Sequence, residues 1–111
     1  MTPNKAIEIV DKLKPNSYSE EDKLRWINEL DGMAQRLVIQ TDNVTQYSYP
    51  DDMDKELLIP APFDDVYTLF LEAKVDYYNK EIANYNNSAM MFEAQFSEYR
   101  KDYIRKHQAR G

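Results

Sequence analysis

Residues 64–106 read DDVYTLFLEAKVDYYNKEIANYNNSAMMFEAQFSEYRKDYIRK, a stretch without glycine or proline. Apolar and aromatic side chains recur along it in alternating steps of four and three residues, which is the spacing of a heptad repeat. The repeat consists of Leu71, Val75, Tyr78, Ile82, Tyr85, Ala89, Phe92, Phe96, Tyr99 and Tyr103. The stretch predicts a helical region over residues 64–107 whose heptad seam must be covered by another helix.

Two arrangements of this region fit the sequence. A continuous helix would be about 65 Å long at 1.5 Å per residue, whereas a compact domain of this size has a radius of gyration of about 13 Å. A break at Asn86, Asn87 and Ser88, with Ser88 capping a new helix, would instead give a helical hairpin. The unbroken heptad phase favours the continuous helix, and compactness favours the hairpin as the alternative.

The rest of the chain also indicates an all-α helical bundle, because its two glycines are far fewer than a turn-rich β-fold uses. Thr2 and Pro3 predict the start of a short helix over residues 3–14. Ser19 precedes three acidic residues and predicts the cap of a second helix over residues 19–40. Residues 41–62 lack the helical pattern, and we predict a long loop or arm that could include a small β-ribbon where residues 44–49 alternate.

Composition bounds the function of the chain. Its 111 residues carry a net charge of -6 and form a single predicted domain. With no cysteine and one histidine, His107, we expect no enzyme, no metal site and no cofactor. The acidic pairs of residues 51–54 and 64–65 are better explained by a polar loop and a helix N-terminus than by metal binding. No stretch approaches the roughly 20 apolar residues of a membrane-spanning helix, so we expect neither membrane insertion nor secretion.

Two groups of residues are candidates for contacts with other proteins. The first lies on the predicted arm and consists of Tyr47, Tyr49, Leu57, Leu58 and Ile59. The second is a basic C-terminal end, because residues 100–111 carry a charge of +4 while residues 1–99 carry -10. Its basic residues are Arg100, Lys101, Arg105, Lys106 and Arg110. Part of this charge complements a helix C-terminus, and the alternative is a docking patch for an acidic surface of another copy or partner.

Several stretches together resemble small structural proteins from the morphogenesis clusters of tailed phages and prophages of Gram-positive bacteria. They are EEDKLRWINELDG at residues 20–32, LLIPAPF at 57–63, DYYN at 76–79, YNNS at 85–88, and Phe92. The resemblance covers nearly the whole chain. The Thr-His-Met-Pro-like tail of many relatives is replaced here by RKHQ at residues 105–108.

The resemblance implies a head-tail connector, or adaptor, protein that forms a ring beneath the portal in the virion. The expected partners are other copies of the chain and portal or tail-completion proteins, with assembly in the bacterial host cytoplasm. We expect no sequence-specific nucleic-acid binding, although DNA would pass through the ring, which an acidic wall would leave non-sticky. The arm would reach a neighbouring subunit or the portal, so deleting residues 43–53 should leave a folded monomer that does not assemble.

A helical interaction module outside phages, such as a small chaperone or regulator, explains the same pattern. It would dimerise through the heptad seam instead of forming a large ring.

Overall fold

The computed structural model of the chain describes residues 1–107, and these form helices with no β-strand. The elements are α1 (Pro3–Leu13), α2 (Glu20–Met33), a π-helical segment (Ala34–Ile39), α3 (Asp65–Tyr78) and α4 (Ile82–His107). The predicted all-α class is confirmed. The small β-ribbon considered for residues 44–49 is not formed in the described part of the chain.

The first two helices both begin at side-chain caps. The Thr2 hydroxyl accepts a hydrogen bond from the Lys5 amide at 3.1 Å, and the Ser19 hydroxyl accepts one from the Asp22 amide at 3.0 Å. Each cap satisfies an amide that has no partner within its helix. The chain then leaves α-helical geometry after Met33 and continues in wider π-helical turns to Ile39. The stretch predicted as one helix over residues 19–40 is therefore an α-helix followed by a π-helical segment.

The C-terminal region is a hairpin of α3 and α4, with its turn at residues 79–81. Lys80 adopts the left-handed conformation (φ 61°). Its amide donates to the Tyr77 carbonyl at 3.1 Å, and the Glu81 amide donates to the Asp76 carbonyl at 2.9 Å. This pair of hydrogen bonds is a Schellman motif, which ends a helix and reverses the chain.

Of the two arrangements predicted for this region, the helical hairpin matches the structure except for the position of its break, and the continuous helix requires correction. The continuous helix is wrong, and the break is not at residues 86–88, which lie within α4. Ser88 does not cap a helix, because its hydroxyl donates to the buried Asp76 carboxylate at 3.2 Å. The break lies at residues 79–81, seven residues before the predicted position. The Schellman motif accounts for this, because it satisfies the last carbonyls of α3 there.

The hairpin divides the heptad seam. Leu71 and Val75 of α3 and Phe92 and Tyr99 of α4 are buried in the core of their own chain. The radius of gyration is 14.3 Å, as expected for a compact chain. The seam is therefore covered from within at these four positions, whereas Tyr78 and Ile82 beside the turn remain exposed.

Residues 41–62 do not project as an arm. Met53, Leu57 and Ile59 are buried in the hydrophobic core. The Leu57 amide donates to the Met1 carbonyl at 2.8 Å, and the Asn4 amide donates to the Met53 carbonyl at 3.0 Å. The apolar run after residue 56 is therefore covered by its own chain, and a deletion of residues 43–53 would remove part of the core instead of freeing a folded monomer.

Two ion pairs, each with one buried partner, fix the position of α1. The Asp76 carboxylate on α3 is fully buried, and its Oδ1 lies 3.2 Å from Nζ of Lys14, which follows α1. Nζ of the buried Lys23 on α2 lies 2.7 Å from Oδ1 of Asp11 on α1. Removing the more exposed partner, Lys14 or Asp11, leaves an uncompensated buried charge. The pairs therefore specify how α1 packs on α2 and α3.

The left-handed conformation of Lys80 yields a prediction for stability. Because glycine adopts this conformation without steric cost, Lys80→Gly should raise the free energy of unfolding by about 0.5–1 kcal/mol. Lys101→Gly is the matched control, because it lies within α4 and should lower the free energy of unfolding by about 1 kcal/mol. Urea unfolding followed by circular dichroism measures both changes. A loss of stability in Lys80→Gly comparable to that in Lys101→Gly would show that residue 80 lies within a continuous helix.

Candidate interaction surface

Most of the predicted contact residues of the arm face the protein interior. Leu57 and Ile59 have exposed fractions of 4% and 0%, and Leu58 is half-buried. Tyr47 is half-buried as well, whereas Tyr49 is exposed. The hypothesis that Leu57 and Ile59 contact a partner is corrected, because these side chains already contribute to the core. Tyr49 is the exposed aromatic side chain of this group.

Two amide side chains of the second helical stretch hold residues 45–47 in an extended conformation. The Asn28 side chain accepts from the Tyr47 amide at 2.8 Å and donates to the Tyr47 carbonyl at 3.0 Å. The Gln35 side chain accepts from the Thr45 amide at 2.9 Å and donates to the Thr45 carbonyl at 3.0 Å. Each side chain thus pairs with one residue of the extended segment as a neighbouring β-strand would. The alternating pattern of residues 44–49 allowed a two-stranded β-ribbon, whereas Thr45 and Tyr47 pair instead with side chains of helical residues.

Asp31, on α2, lies between Asn28 and Gln35 in the sequence. Its carboxylate is buried. Its Oδ1 accepts a hydrogen bond from the Tyr67 hydroxyl at 2.5 Å, and its Oδ2 accepts one from the Tyr47 hydroxyl at 2.7 Å. The Tyr67 hydroxyl in turn accepts from the Ile59 amide at 2.8 Å. Burial raises the pKa of the Asp31 carboxyl above its ordinary value, and the hydrogen bonds from Tyr67 and Tyr47 oppose this shift.

Sequence reasoning missed this network, although a signal was present. Asn28, Asp31 and Gln35 follow one another at steps of three and four, so they lie on one side of the helical stretch. Asp31 and Gln35 lie among the apolar positions that the helical pattern places towards the core. Polar side chains at such positions need hydrogen-bond partners, which here come from residues 45–67.

The basic end of the chain is exposed on α4 and is partly neutralised there. Lys101 pairs with Glu98 at 3.4 Å, and both Arg105 and Lys106 pair with Asp102, at 2.7 and 3.1 Å. Such exposed pairs within a helix contribute little to stability. Arg100 has no ion pair among residues 1–107. Arg110, the fifth basic residue, lies outside the described residues.

Arg100 borders an apolar trough between the π-helical segment and α4. One part of the trough has a volume of about 480 Å³, and an adjoining part of about 290 Å³ shares Leu37 and Arg100 with it. The larger part is lined by Met33, Leu37, Phe92, Glu93, Phe96, Ser97 and Arg100. The smaller part is lined by Leu37, Val38, Ile39, Gln40, Arg100, Tyr103, Ile104 and His107. A third depression of about 460 Å³ shares Met33, Phe92 and Glu93 and continues the trough towards the α3–α4 turn.

Large apolar side chains line the trough and remain exposed to solvent. Leu37 is 59% exposed and Ile104 is 48% exposed. The trough combines these side chains with the aromatic rings of Phe92 and Phe96, the carboxylate of Glu93 and the guanidinium of Arg100, which has no ion pair within residues 1–107. Contiguous apolar surface bordered by charge is typical of a protein contact site. Of the predicted contact residues, Arg100 lies on the trough, whereas Leu37 and Ile104 were not singled out by the sequence pattern.

Two further features were considered for residues 1–107, a metal-binding cluster and a membrane-spanning helix. These residues contain no group of three or more His, Asp or Glu side chains placed to hold a metal ion. None of the described helices is both long enough and apolar enough to cross a membrane.

Comparisons of the chain with protein-family models, with curated proteins and with solved structures gave no match.

Tyr47 and Tyr49, both in residues 41–62, provide a matched test of the hydrogen bonds to Asp31. Tyr47→Phe removes a hydrogen bond to a buried carboxylate and should lower the free energy of unfolding by about 1–2 kcal/mol. Tyr49→Phe should have little effect, because the Tyr49 hydroxyl is exposed and lies 3.4 Å from Glu20. Chemical denaturation of both variants measures the difference. Equal stability of the two variants would contradict the network.

Proposed function

We propose that this chain is a structural subunit of a tailed-phage or prophage virion, a head-tail connector that assembles into a ring at the junction of portal and tail. The observation that carries the proposal is the uncovered apolar trough beside α4. The proposal also draws on the resemblance of residues 20–32 and 57–63 to small morphogenesis proteins. On this proposal the partners are other copies of the chain and portal or tail-completion proteins.

The trough favours a subunit of an assembly over an isolated domain. Exposed apolar side chains that lie side by side, as Leu37 and Ile104 do along the trough, are a feature of protein contact sites. Leu37, Ile104 and the rings beneath them would lose contact with water when a protein surface covers them, which is favourable by roughly 25 cal/mol per Å² of apolar area.

The charge of the chain supports a ring that surrounds DNA. With a net charge of -6, the subunit offers few cations to replace the counterions of a passing phosphate backbone. A connector needs this property because DNA must move through its channel without adhering. The same charge argues against a protein that binds DNA as its function.

A helical module that dimerises through the heptad seam is less well supported. Leu71, Val75, Phe92 and Tyr99 of the seam are buried in their own chain. A seam dimer would require the α3–α4 hairpin to open, at the cost of exposing these side chains.

Leu37 allows the proposed function to be tested with a matched control. Leu37→Glu places a charge in the trough and should abolish assembly without unfolding the subunit, since Leu37 is 59% exposed. Leu13→Glu makes the same change on α1, outside the trough, where Leu13 is 61% exposed, and should leave assembly intact. The measurement is the mass in solution by light scattering behind size exclusion, over a range of concentrations and with portal protein added.

The unmodified chain should form a large closed oligomer, either alone or when portal protein is added. A monomer or a dimer that is indifferent to portal protein would contradict the connector. Normal assembly by Leu37→Glu would show that the trough is not the contact.

A further inference from the structure

A row of exposed side chains follows the rim of the trough on α4. Its members recur at steps of three and four residues, so they lie on one side of the helix. They are Met90, Glu93, Ser97, Arg100 and Ile104, and all five are exposed. Glu93, Ser97 and Arg100 line the larger part of the trough, and Ile104 lines the smaller part. We call this row the α4 stripe.

The α4 stripe has the same chemistry in both directions from Ser97, except that its two charges have opposite signs. A large apolar side chain stands two helical turns away on either side, Met90 before Ser97 and Ile104 after it, and Met90 is 67% exposed. Glu93 precedes Ser97 by one turn, and Arg100 follows it by one turn. Neither Glu93 nor Arg100 has an ion pair within residues 1–107. Reversing the stripe therefore exchanges the carboxylate and the guanidinium.

This symmetry makes the stripe complementary to an antiparallel copy of itself. With a two-fold axis beside Ser97, each Glu93 faces Arg100 of the second copy. Each Met90 then faces Ile104 of the second copy, and the small side chain of Ser97 lies where the two helices cross. A parallel pair would instead place like charges opposite each other, which is unfavourable. The charges of α4 therefore favour a second copy in the antiparallel direction.

The shape of the trough also fits α4 of a second copy. The trough lies between the π-helical segment and α4, so α4 is itself one rim of the trough. The rim of one copy can occupy the trough of the other, and two-fold symmetry makes the exchange mutual. Each α4 then contacts α4 and the π-helical segment of the second copy, where Leu37 is exposed. The four helical segments form a bundle that covers both troughs.

We propose that two copies of this chain pair through α4 in antiparallel orientation, with α4 of each copy lying in the trough of the other. Glu93 and Arg100 form two symmetry-related ion pairs beside an apolar contact made by Met90, Leu37 and Ile104. A two-fold contact closes on itself, so a ring would be built from such pairs through a further contact. This inference rests on the proposed function in that it names what covers the trough.

Charge exchange tests the antiparallel contact. Glu93→Arg leaves only positive charges at the two facing positions, and Arg100→Glu leaves only negative charges. Each variant alone should raise the Kd of the pair about tenfold or more. An equimolar mixture of the two variants should pair again, and the double variant Glu93→Arg/Arg100→Glu should pair with itself. Sedimentation equilibrium measures these dissociation constants.

Glu98 and Arg105 provide the matched control. They have the same charges and the same spacing of seven residues, but they lie on a different side of α4. Glu98 pairs with Lys101 and Arg105 pairs with Asp102, and such exposed pairs contribute little to stability. Glu98→Arg and Arg105→Glu should leave the Kd of the pair unchanged. Circular dichroism checks that each variant remains helical.

Cysteine cross-linking tests the direction of pairing, because the chain has no cysteine of its own. With a short bismaleimide, Ser97→Cys should cross-link to itself, since this position lies beside the axis. Met90→Cys should cross-link to Ile104→Cys but not to itself. Antiparallel pairing separates the two copies of position 90 by about 21 Å along the helices, at 1.5 Å per residue.

The outcomes separate this inference from the proposed function. Self-cross-linking of Met90→Cys, or a folded double charge variant that fails to pair, overturns the antiparallel contact. A chain that is monomeric alone and forms a ring only with portal protein overturns this contact and leaves the connector in place. An antiparallel pair that is indifferent to portal protein supports the contact and overturns the connector. A monomer at all concentrations, with and without portal protein, overturns both.

Discussion

The buried carboxylate of Asp31 is the constraint on which the arrangement of the other elements depends. It accepts hydrogen bonds from Tyr67 on α3 and from Tyr47 in the connecting segment, so it joins α2 to both. A buried carboxylate without such donors would be costly, and losing either tyrosine hydroxyl leaves it underbonded. Because Tyr67 also accepts from the Ile59 amide, the same network fixes the apolar run that ends the segment.

The lengths of α3 and α4 explain why the proposed contact surface lies on α4. Residues 41–62 are held against α2 by Asn28 and Asp31 and against the π-helical segment by Gln35, so they are not free to extend towards another protein. α4 has 26 residues and its hairpin partner α3 has 14, so the second half of α4 passes beyond α3. There it faces the π-helical segment and leaves the trough uncovered. The surface proposed to contact a neighbouring subunit is thus a consequence of unequal helix lengths.

Sequence reasoning predicted the features that depend on local chemistry. The all-α class followed from the scarcity of glycine and from the heptad spacing. Four residues of that repeat, Leu71, Val75, Phe92 and Tyr99, are buried in the α3–α4 hairpin. The position of the α3–α4 turn was not predictable from the sequence. Lys80 adopts the left-handed conformation, which glycine or asparagine usually occupies, whereas the polar residues 86–88 resembled a helix break more closely. Residues 44–49 allowed a β-ribbon, but a pattern cannot show that the partner is a helix.

The trough beside α4 was predicted only in part, because it depends on contacts between residues that are far apart in the sequence. Arg100 was singled out by charge. Leu37 and Arg100 are far apart in the sequence and come together only because the chain reverses at residues 79–81. No local pattern reports such a long-range contact.

Hydrogen exchange at the backbone amides of residues 41–62 tests the central claim, that the segment is a fixed part of the fold. The amides of Thr45, Tyr47 and Ile59 donate to the side chains of Gln35, Asn28 and Tyr67. We expect these three amides to be protected to nearly the same extent as those in the middle of α2, and Gln46 between them to exchange faster. Exchange of all of them at the rate of an unstructured loop would contradict the account.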